Sequence, residues 1–116
     1  MGKEREGGGE HRARCDRAAV AVLDLVAKER QVPRDMLLHR SRCRAAVADS
    51  RHLAMYLVHT ALGRSLTEVG LLFGRDRTTV AYACARIEDR RDRPSFDAEV
   101  ERLEQVIAKT EGGVGE

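Results

Sequence analysis

The heptapeptide Gly74-Arg75-Asp76-Arg77-Thr78-Thr79-Val80 decides the fold that this sequence predicts. It follows a short apolar helix pattern over residues 66–73 and begins a longer one that extends to about Arg90. A short helix, a Gly-containing turn and a second helix with polar residues at its start are typical of a helix-turn-helix. Such residues can reach base edges and phosphates, whereas a core needs no such cluster. The stretch therefore predicts binding of double-stranded DNA.

The polar start of this helix also has a plainer interpretation. Asp and Thr commonly cap helices, so Asp76 and the two threonines can serve only to begin this one. The helical spacing predicts that Val80, Cys84 and Ile87 face the core. The opposite face then presents four side chains to solvent or DNA, which are Arg77, Thr78, Tyr82 and Arg86. Of the two interpretations, the pattern favours DNA contact.

Apolar residues at helical spacing predict about six helices, over residues 13–30, 33–38, 45–62, 66–73, 77–90 and 94–109. Ser65-Leu66-Thr67-Glu68 is a capping box, the S-x-x-E pattern directly before an apolar run. Gly63 is expected to stop the third helix. Since no segment alternates with period two, the predicted fold is all-α, with about six helices around a central helix-turn-helix.

The chain is long enough for one domain. We expect residues 13–93 to form the helix-turn-helix domain and residues 94–109 to add a C-terminal helix. The two ends, residues 1–12 and 110–116, are charged and rich in Gly. We expect both ends to be disordered, because they cannot bury enough apolar area to offset the entropy lost on ordering.

The last predicted helix carries an apolar stripe at spacings of four, three and four residues, made of Phe96, Val100, Leu103 and Ile107. We expect this stripe to pack on the helical core, and the alternative is an interface with a second copy or a protein partner. Three acidic residues of the same helix, Glu99, Glu101 and Glu104, would repel DNA. The helix is therefore expected to lie away from a bound duplex.

The distribution of charge is more informative than the net charge of +2. Residues 34–51 carry five Arg against two Asp, a net of +3, and residues 74–93 carry six Arg against four acidic residues, a net of +2. Residues 94–116 have a net charge of −4. Positive charge thus lies where the DNA contacts are predicted. Binders of single strands need aromatic platforms, and this chain has only two Tyr, two Phe and no Trp.

The sequence disfavours several other classes of protein. Cys15, Cys43 and Cys84 are widely spaced, so neither a disulfide scaffold nor a zinc site is expected, and the predicted compartment is a reducing cytoplasm. No set of nucleophile, base and orienting residue is visible, so we expect no enzymatic activity, no metal and no cofactor. No apolar run approaches the roughly 20 residues of a membrane span.

A second basic feature precedes the third helix. Arg40, Arg42 and Arg44 alternate along a predicted loop, which suits contact with phosphates or with a narrow minor groove. By itself the loop could equally be a solvated surface segment. Next to a helix-turn-helix, DNA contact is the favoured interpretation.

Several pieces of the chain together resemble a known family. In order they are Val26-Ala27, Leu37-Leu38, Arg51-His52-Leu53-Ala54-Met55-Tyr56-Leu57, Ser65-Leu66-Thr67-Glu68-Val69-Gly70, Phe73-Gly74 and Arg75-Asp76-Arg77-Thr78-Thr79-Val80. With single-residue differences in length, the region from about Val20 to Ile87 resembles the C-terminal DNA-binding domain of the bacterial chromosomal replication initiator DnaA. The resemblance implies a Trp-repressor-like helical fold.

The resemblance also implies binding to a short asymmetric site, the DnaA box. By position, the implied readers of the major groove are Asp76, Arg77, Thr78 and Thr79. The implied minor-groove residue is Arg42 or Arg44, and Arg51 with His52 would lie near the DNA backbone. An apparent extra residue before the third helix leaves the choice between Arg42 and Arg44 open.

Two departures from the family pattern bear on the target site. The family usually has Gly-Gly-Arg-Asp-His-Thr-Thr, whereas this chain lacks one Gly and has Arg77 in place of the His. His52 stands where Gln is usual beside Arg51. A changed reading residue alters the expected box sequence but leaves duplex binding in place.

The ATPase motif of a full initiator, GxxxxGK[ST], does not occur in these 116 residues. We therefore expect no ATPase activity and no nucleotide ligand. The predicted function is that of a nucleoid-associated protein that binds specific double-stranded sites and regulates replication initiation or transcription. The alternative is a protein-interaction module in which the helix-turn-helix is structural and the last helix docks a partner.

Overall fold

The computed structural model describes residues 16–38 and 45–115, with side chains as far as residue 110. The described residues form six helices, which are α1 (Arg17–Arg30), α2 (Arg34–Leu38), α3 (Ala45–Thr60), α4 (Leu66–Phe73), α5 (Arg77–Arg90) and α6 (Pro94–Gly115). No strand occurs in these two ranges. The predicted all-α fold with a central helix-turn-helix is confirmed.

Side-chain caps explain where two of the helices begin. At the start of α1, the Ala19 amide donates to Oδ1 of Asp16 at 3.1 Å. At the start of α4, the Glu68 amide donates to Oγ of Ser65 at 3.0 Å, and the Ser65 amide donates to Oε1 of Glu68 at 2.8 Å. The predicted capping box is therefore present, and α4 begins at Leu66 as predicted.

Three helix boundaries differ from the prediction. Helix α1 begins at Arg17, directly after its cap Asp16, rather than at residue 13. Helix α3 ends at Thr60 rather than at residue 62, because the chain turns at Gly63, which has a φ of +73°, and the Arg64 amide donates back to the Val58 carbonyl at 3.4 Å. Helix α6 continues to Gly115, past the predicted end at residue 109 and into the predicted disordered tail.

Helix α3 lies at the centre of the domain and packs against α1, α2, α4 and α5. Its side chains Leu53, Met55 and Leu57 are fully buried. They meet the buried faces of the surrounding helices in one continuous apolar core. Because neighbouring helices cover α3 on several sides, residues 53–58 are a continuous run of hydrophobic side chains and all of them are buried.

The apolar stripe of α6 is buried in the same core, through Phe96, Val100, Leu103 and Ile107. Packing of this stripe within the chain, which the sequence favoured over an interface, is confirmed. Two ion pairs tie α6 to α1: Arg30 with Glu99 at 3.3 Å, and Arg102 with Glu29 at 2.8 Å.

Arg91, directly after α5, joins three parts of the domain. Its guanidinium donates to the Tyr56 hydroxyl at 3.0 Å, to Glu104 at 3.2 Å and to Asp97. These contacts hold the start of α6 at the C-terminal end of α5. The acidic helix therefore joins α5 at the end remote from Asp76, the cap of that helix.

Candidate nucleic-acid interface

The turn between α4 and α5 depends on two glycines. Gly74 closes α4 in the left-handed region, with φ of +67°, a conformation that glycine adopts without steric cost. The Arg75 amide then donates back to the Gly70 carbonyl at 2.8 Å. A Cβ atom at Gly70 would lie 2.5 Å from the Arg75 carbonyl oxygen. The turn therefore brings α5 closer to α4 than any side chain at Gly70 would allow.

Asp76 caps α5, as predicted. Its Oδ1 accepts a hydrogen bond from the Thr79 amide at 2.8 Å. Hydrogen bonds from the Thr79 amide and hydroxyl lower the pKa of the Asp76 carboxyl. The carboxylate is thus ionised and held at the mouth of α5. Capping is established here, and a second role in reading DNA stays a prediction.

The buried face of α5 differs from the predicted stripe at one position. Val80, Ala83 and Ile87 are buried. Cys84 packs against the edge of the core and is only half-buried, so it belongs to the buried stripe in part and Ala83 completes it. Positions 83 and 84 both fit the helical spacing, so periodicity alone does not choose between them. Burial raises the pKa of the Cys84 thiol to about 11, which keeps it protonated at neutral pH.

The other face of α5 is open, as predicted. Arg77 and Thr78 are exposed on its first turn, and Thr79 is half-buried beside the cap. Tyr82 follows one turn later with 59% of its surface exposed. Arg86 is exposed one turn beyond it. Thr78, Tyr82 and Arg86 therefore follow one line along the accessible side of α5, and Arg77 is exposed beside them on the first turn.

His52 of α3 lies against this face. Its ring meets the ring of Tyr82 edge to face, with centroids 6.3 Å apart and an interplanar angle of 89°. The guanidinium carbon of Arg86 lies 5.9 Å from the centre of the same Tyr82 ring. Burial, followed by the nearby Arg86, lowers the pKa of His52, so its imidazole is neutral at neutral pH. The structure thus brings the predicted residue His52 to the open face of α5, against the ring of Tyr82.

Arg51, which was predicted to lie near the DNA backbone with His52, points away from α5 and toward α2. Only 6% of it is exposed. Its Nε donates to the Leu37 carbonyl at 2.9 Å, and its Nη2 donates to the Met36 carbonyl at 2.8 Å. Helix ends leave carbonyls without partners inside the helix, and a cation is well suited to bind them. Arg51 therefore holds the last turn of α2, which its sequence position did not indicate.

The basic segment that follows α2 lies outside the described residues. It includes Arg42 and Arg44, the two candidates for the minor groove. The assignment of either arginine to the minor groove stays a prediction. The structure does describe both flanks, which are Leu38 at the end of α2 and Ala45 at the start of α3.

Sequence reasoning missed two contributors to this surface. Gly70 belongs to the family pattern, but its physical role, which is to let the Arg75 carbonyl approach, was not predicted. It also placed Tyr82 toward solvent or DNA without finding its partner. No local signal links His52 to Tyr82, because they lie 30 positions apart on different helices.

Other kinds of site find little support in the described part of the chain. Residues 16–38 and 45–115 contain no group of three His, Cys, Asp or Glu side chains placed to hold a metal ion. Within the same ranges, no helix is long and apolar enough to cross a membrane.

Comparison with known proteins gives this geometry a family. The model of a family described as the bacterial DnaA protein helix-turn-helix matches residues 20–87, more than half of the chain. The chain belongs to the bacterial DnaA helix-turn-helix family. The matched region runs from α1 through the turn at Gly74 to the end of the buried face of α5 at Ile87. The resemblance that the sequence indicated is confirmed, and the exposed face of α5 belongs to the DNA-binding helix-turn-helix of this family.

Individual relatives agree with the family assignment. The chromosomal replication initiator protein DnaA of Tropheryma whipplei is 33% identical over 92 residues, which cover 78% of this chain and 19% of that protein. The same protein of Xanthobacter autotrophicus is 46% identical over 68 residues, 58% of this chain and 13% of that one. The chain thus spans about a fifth or less of the length of these relatives.

A solved structure agrees at the level of the fold. It is described as the replication initiator DnaA bound to AMPPCP and single-stranded DNA. It superposes with a TM-score of 0.73 and 28% identity, over 93% of this chain and 31% of that one. Nearly all of this chain therefore corresponds to one part of a larger initiator.

Proposed function

We propose that this chain binds double-stranded DNA at specific sites that resemble the DnaA box. The observation that carries the proposal is the first turn of α5, where Arg77 and Thr78 are exposed in front of the fully buried Val80. The buried side fixes the helix to the core, and the polar side projects at its N-terminus. This is the form of a recognition helix that enters the major groove.

In this proposal the first turn of α5 reads bases. The Arg77 guanidinium has the shape for a bidentate bond to guanine O6 and N7. Thr78 and Thr79 offer hydroxyl groups to bases or phosphates and methyl groups to thymine. Asp76, held in its ionised form by the cap, can accept from cytosine N4. The N-terminus of α5 adds favourable electrostatics for a nearby phosphate.

The remaining predicted residues have supporting roles in the same proposal. Arg42 or Arg44 enters the minor groove beside the site. His52, at the edge of the open face, lies near the DNA backbone. Arg51 acts indirectly, because it holds the last turn of α2, from which the basic segment begins. We therefore assign Arg51 a positioning role rather than a phosphate contact.

We also propose that binding regulates replication initiation or transcription. The support is the family, because the relatives are replication initiators and this chain carries their helix-turn-helix. A protein that occupies DnaA-box-like sites competes with an initiator at an origin or acts at a promoter. A genome-wide map of bound DNA separates the two roles by showing whether the sites cluster at the origin or upstream of genes.

The direct test compares a duplex that contains a DnaA-box-like site with a shuffled duplex of equal composition, by fluorescence anisotropy. We expect the specific duplex to bind roughly a thousandfold more tightly or better. Arg77→Ala should lose much of this preference. Arg93→Ala is the matched control, because Arg93 is also exposed but lies three residues past the end of α5, remote from Asp76. Equal binding of both duplexes would contradict sequence-specific recognition, and no binding by a folded protein would favour the protein-interaction alternative.

Salt dependence tests the electrostatic part of the proposal. With about four to six phosphate contacts, the logarithm of the association constant should fall against the logarithm of salt concentration with a slope of roughly −4 to −5. The slope should become shallower by about one unit for each phosphate-contacting arginine that is replaced. An affinity that does not respond to salt would rule out a phosphate-based interface.

A further inference from the structure

The open face of α5 extends beyond the residues that the family pattern assigns to DNA. Thr78, Tyr82 and Arg86 are spaced by four residues, so they form one line along the helix. Tyr82 is the most exposed large hydrophobic side chain of the described residues, at 59%. A tyrosine at this position presents a large apolar ring, with a polar hydroxyl at its end, beside the polar start of the helix.

The Tyr82 ring is held rather than loose. His52 packs against it edge to face from α3, and the Arg86 guanidinium lies 5.9 Å from the ring centre, within reach of a cation–π contact. Fixing a side chain before binding reduces the entropy that binding must remove. The two contacts keep the ring on the open face of α5, with most of its surface accessible.

The residues around the ring allow α5 to approach DNA closely. Ala81 and Ala85 are both exposed, and they flank Tyr82 and Arg86 along the helix. Because alanine side chains end at one carbon, this part of α5 can lie deep in a major groove about 12 Å wide. Within residues 81–86, the exposed side chains larger than alanine are then those of Tyr82 and Arg86.

We propose that Tyr82 is a second specificity-determining residue, whose ring contacts the 5-methyl group of a pyrimidine about one to two base pairs beyond the base that Thr78 reaches. In unmodified DNA that pyrimidine is a thymine. The inference rests on the proposed binding of duplex DNA through α5. His52 and Arg86 are positioning residues for the ring.

The chemistry favours a methyl group over the other features of the groove. The major-groove edge of thymine is distinguished by its C5-methyl, which apolar side chains contact. A ring face offers apolar area and no hydrogen-bonding group, so it gains from a methyl and gains little from N7, O6 or N4. The Tyr82 hydroxyl could instead donate to a phosphate, and the experiment separates that outcome.

The experiment begins with a binding selection that defines the preferred site of the unmodified protein. Each thymine of that site is then replaced singly by deoxyuracil, which removes only the methyl group. We expect the replacement of one thymine, in the second half of the α5 footprint, to lower the affinity of the protein for the site about fourfold, the value for burying one methyl group. With Tyr82→Ala this loss should vanish at that position alone, while the effects at other thymines remain.

Two further arms identify the chemistry. Tyr82→Phe keeps the ring and removes the hydroxyl, so it should retain the full loss of affinity on replacing thymine by deoxyuracil (the uracil effect). If Tyr82→Phe and Tyr82→Ala weaken binding equally, the residue contacts a phosphate and the proposal is overturned. Placing 5-methylcytosine at the responsive position should give tighter binding than cytosine. His52→Ala should reduce the uracil effect, and His52→Phe should restore it by supplying another aromatic edge.

The outcomes of this inference and of the proposed function are distinguishable. If the unmodified protein selects a defined site but no thymine responds, or the response is the same in Tyr82→Ala, only the role of Tyr82 is overturned. If no sequence is selected at all, the proposed function and this inference both fail. Circular dichroism on each variant confirms folding, which is expected for the Tyr82 variants because Tyr82 is mostly exposed.

Discussion

The carbonyl oxygen of Arg75 lies where a side chain at Gly70 would have to begin, 2.5 Å from the position of a Cβ atom. The contact joins the last half of α4 to the residue before the cap of α5. This close approach sets the direction in which α5 leaves the turn. The geometry of the candidate DNA surface therefore depends on a residue that has no side chain and is itself buried.

Gly70→Ala tests this dependence. Alanine gains up to about 1 kcal/mol of helix propensity, but the clash with a backbone atom forces the turn to move. We expect a net loss of about 1–2 kcal/mol in the free energy of unfolding and a further loss of DNA affinity in the folded protein. Urea unfolding and anisotropy measure the two effects. Thr67→Ala, an exposed change in the same helix, is the control; unchanged behaviour of Gly70→Ala would show that the turn relaxes freely.

Asp76 combines two roles that substitution can separate. Asp76→Asn keeps an oxygen that caps α5 and removes the negative charge, whereas Asp76→Ala removes both. We expect Asp76→Asn to retain most of the stability but to change the preference for the base pair opposite residue 76. Asp76→Ala should lower both stability and affinity. Thermal unfolding and binding selections report the two roles, and an unchanged site in Asp76→Asn would leave capping as the sole function.

Arg77 should determine the base at one position of the site. Because it replaces the usual His of the family, the preferred site should differ from an ordinary DnaA box there, toward guanine. The discrimination expected from a bidentate arginine contact is about 1–3 kcal/mol. In selections on randomised duplexes, Arg77→Ala should lose this preference and Arg77→His should shift it toward the usual base. Uniformly weaker binding with an unchanged motif would show that Arg77 contacts only a phosphate.

Arg91 should be the main polar link between α5 and α6. Arg91→Ala leaves the Tyr56 hydroxyl, Asp97 and Glu104 without this donor, and we expect the free energy of unfolding to fall by about 1–2 kcal/mol. Arg93→Ala, exposed two residues later, should change it by less than about 0.5 kcal/mol. Denaturant unfolding of the two variants makes the comparison. Equal effects would mean that the apolar stripe of α6 holds the helix without help from Arg91.

Acid should weaken the fold through Asp16. Hydrogen bonds from Arg64, at 2.9 and 3.0 Å, lower the pKa of the Asp16 carboxyl below its usual 3.8. A carboxyl whose pKa is lower in the folded state stabilises the fold above its unfolded pKa, and the benefit disappears as pH falls through the folded value. Stability should therefore drop below about pH 4. Asp16→Asn should be less stable at neutral pH and should show a flatter acid limb; parallel curves for both proteins would exclude the link.

Local sequence signals predicted the helices well. The capping box at Ser65, the cap at Asp76 and the stripe of α6 were all identified correctly, because each depends on residues within one or two turns of one another. Helix ends were predicted less well. The end of α3 depends on a turn at Gly63 that closes two residues early, and the end of α6 depends on how far a packed helix propagates.

By itself, the sequence determined that the chain is helical, where the helix-turn-helix lies, and which polar residues begin its second helix. Periodicity and capping are local, so no knowledge of the fold was needed. Only the tertiary structure decided that Ala83 rather than Cys84 completes the buried face, that Arg51 turns inward to α2, and that His52 braces Tyr82. These outcomes depend on how α3 meets α2 and α5. Such packing joins residues 14 to 30 positions apart, a separation at which helical spacing carries no information.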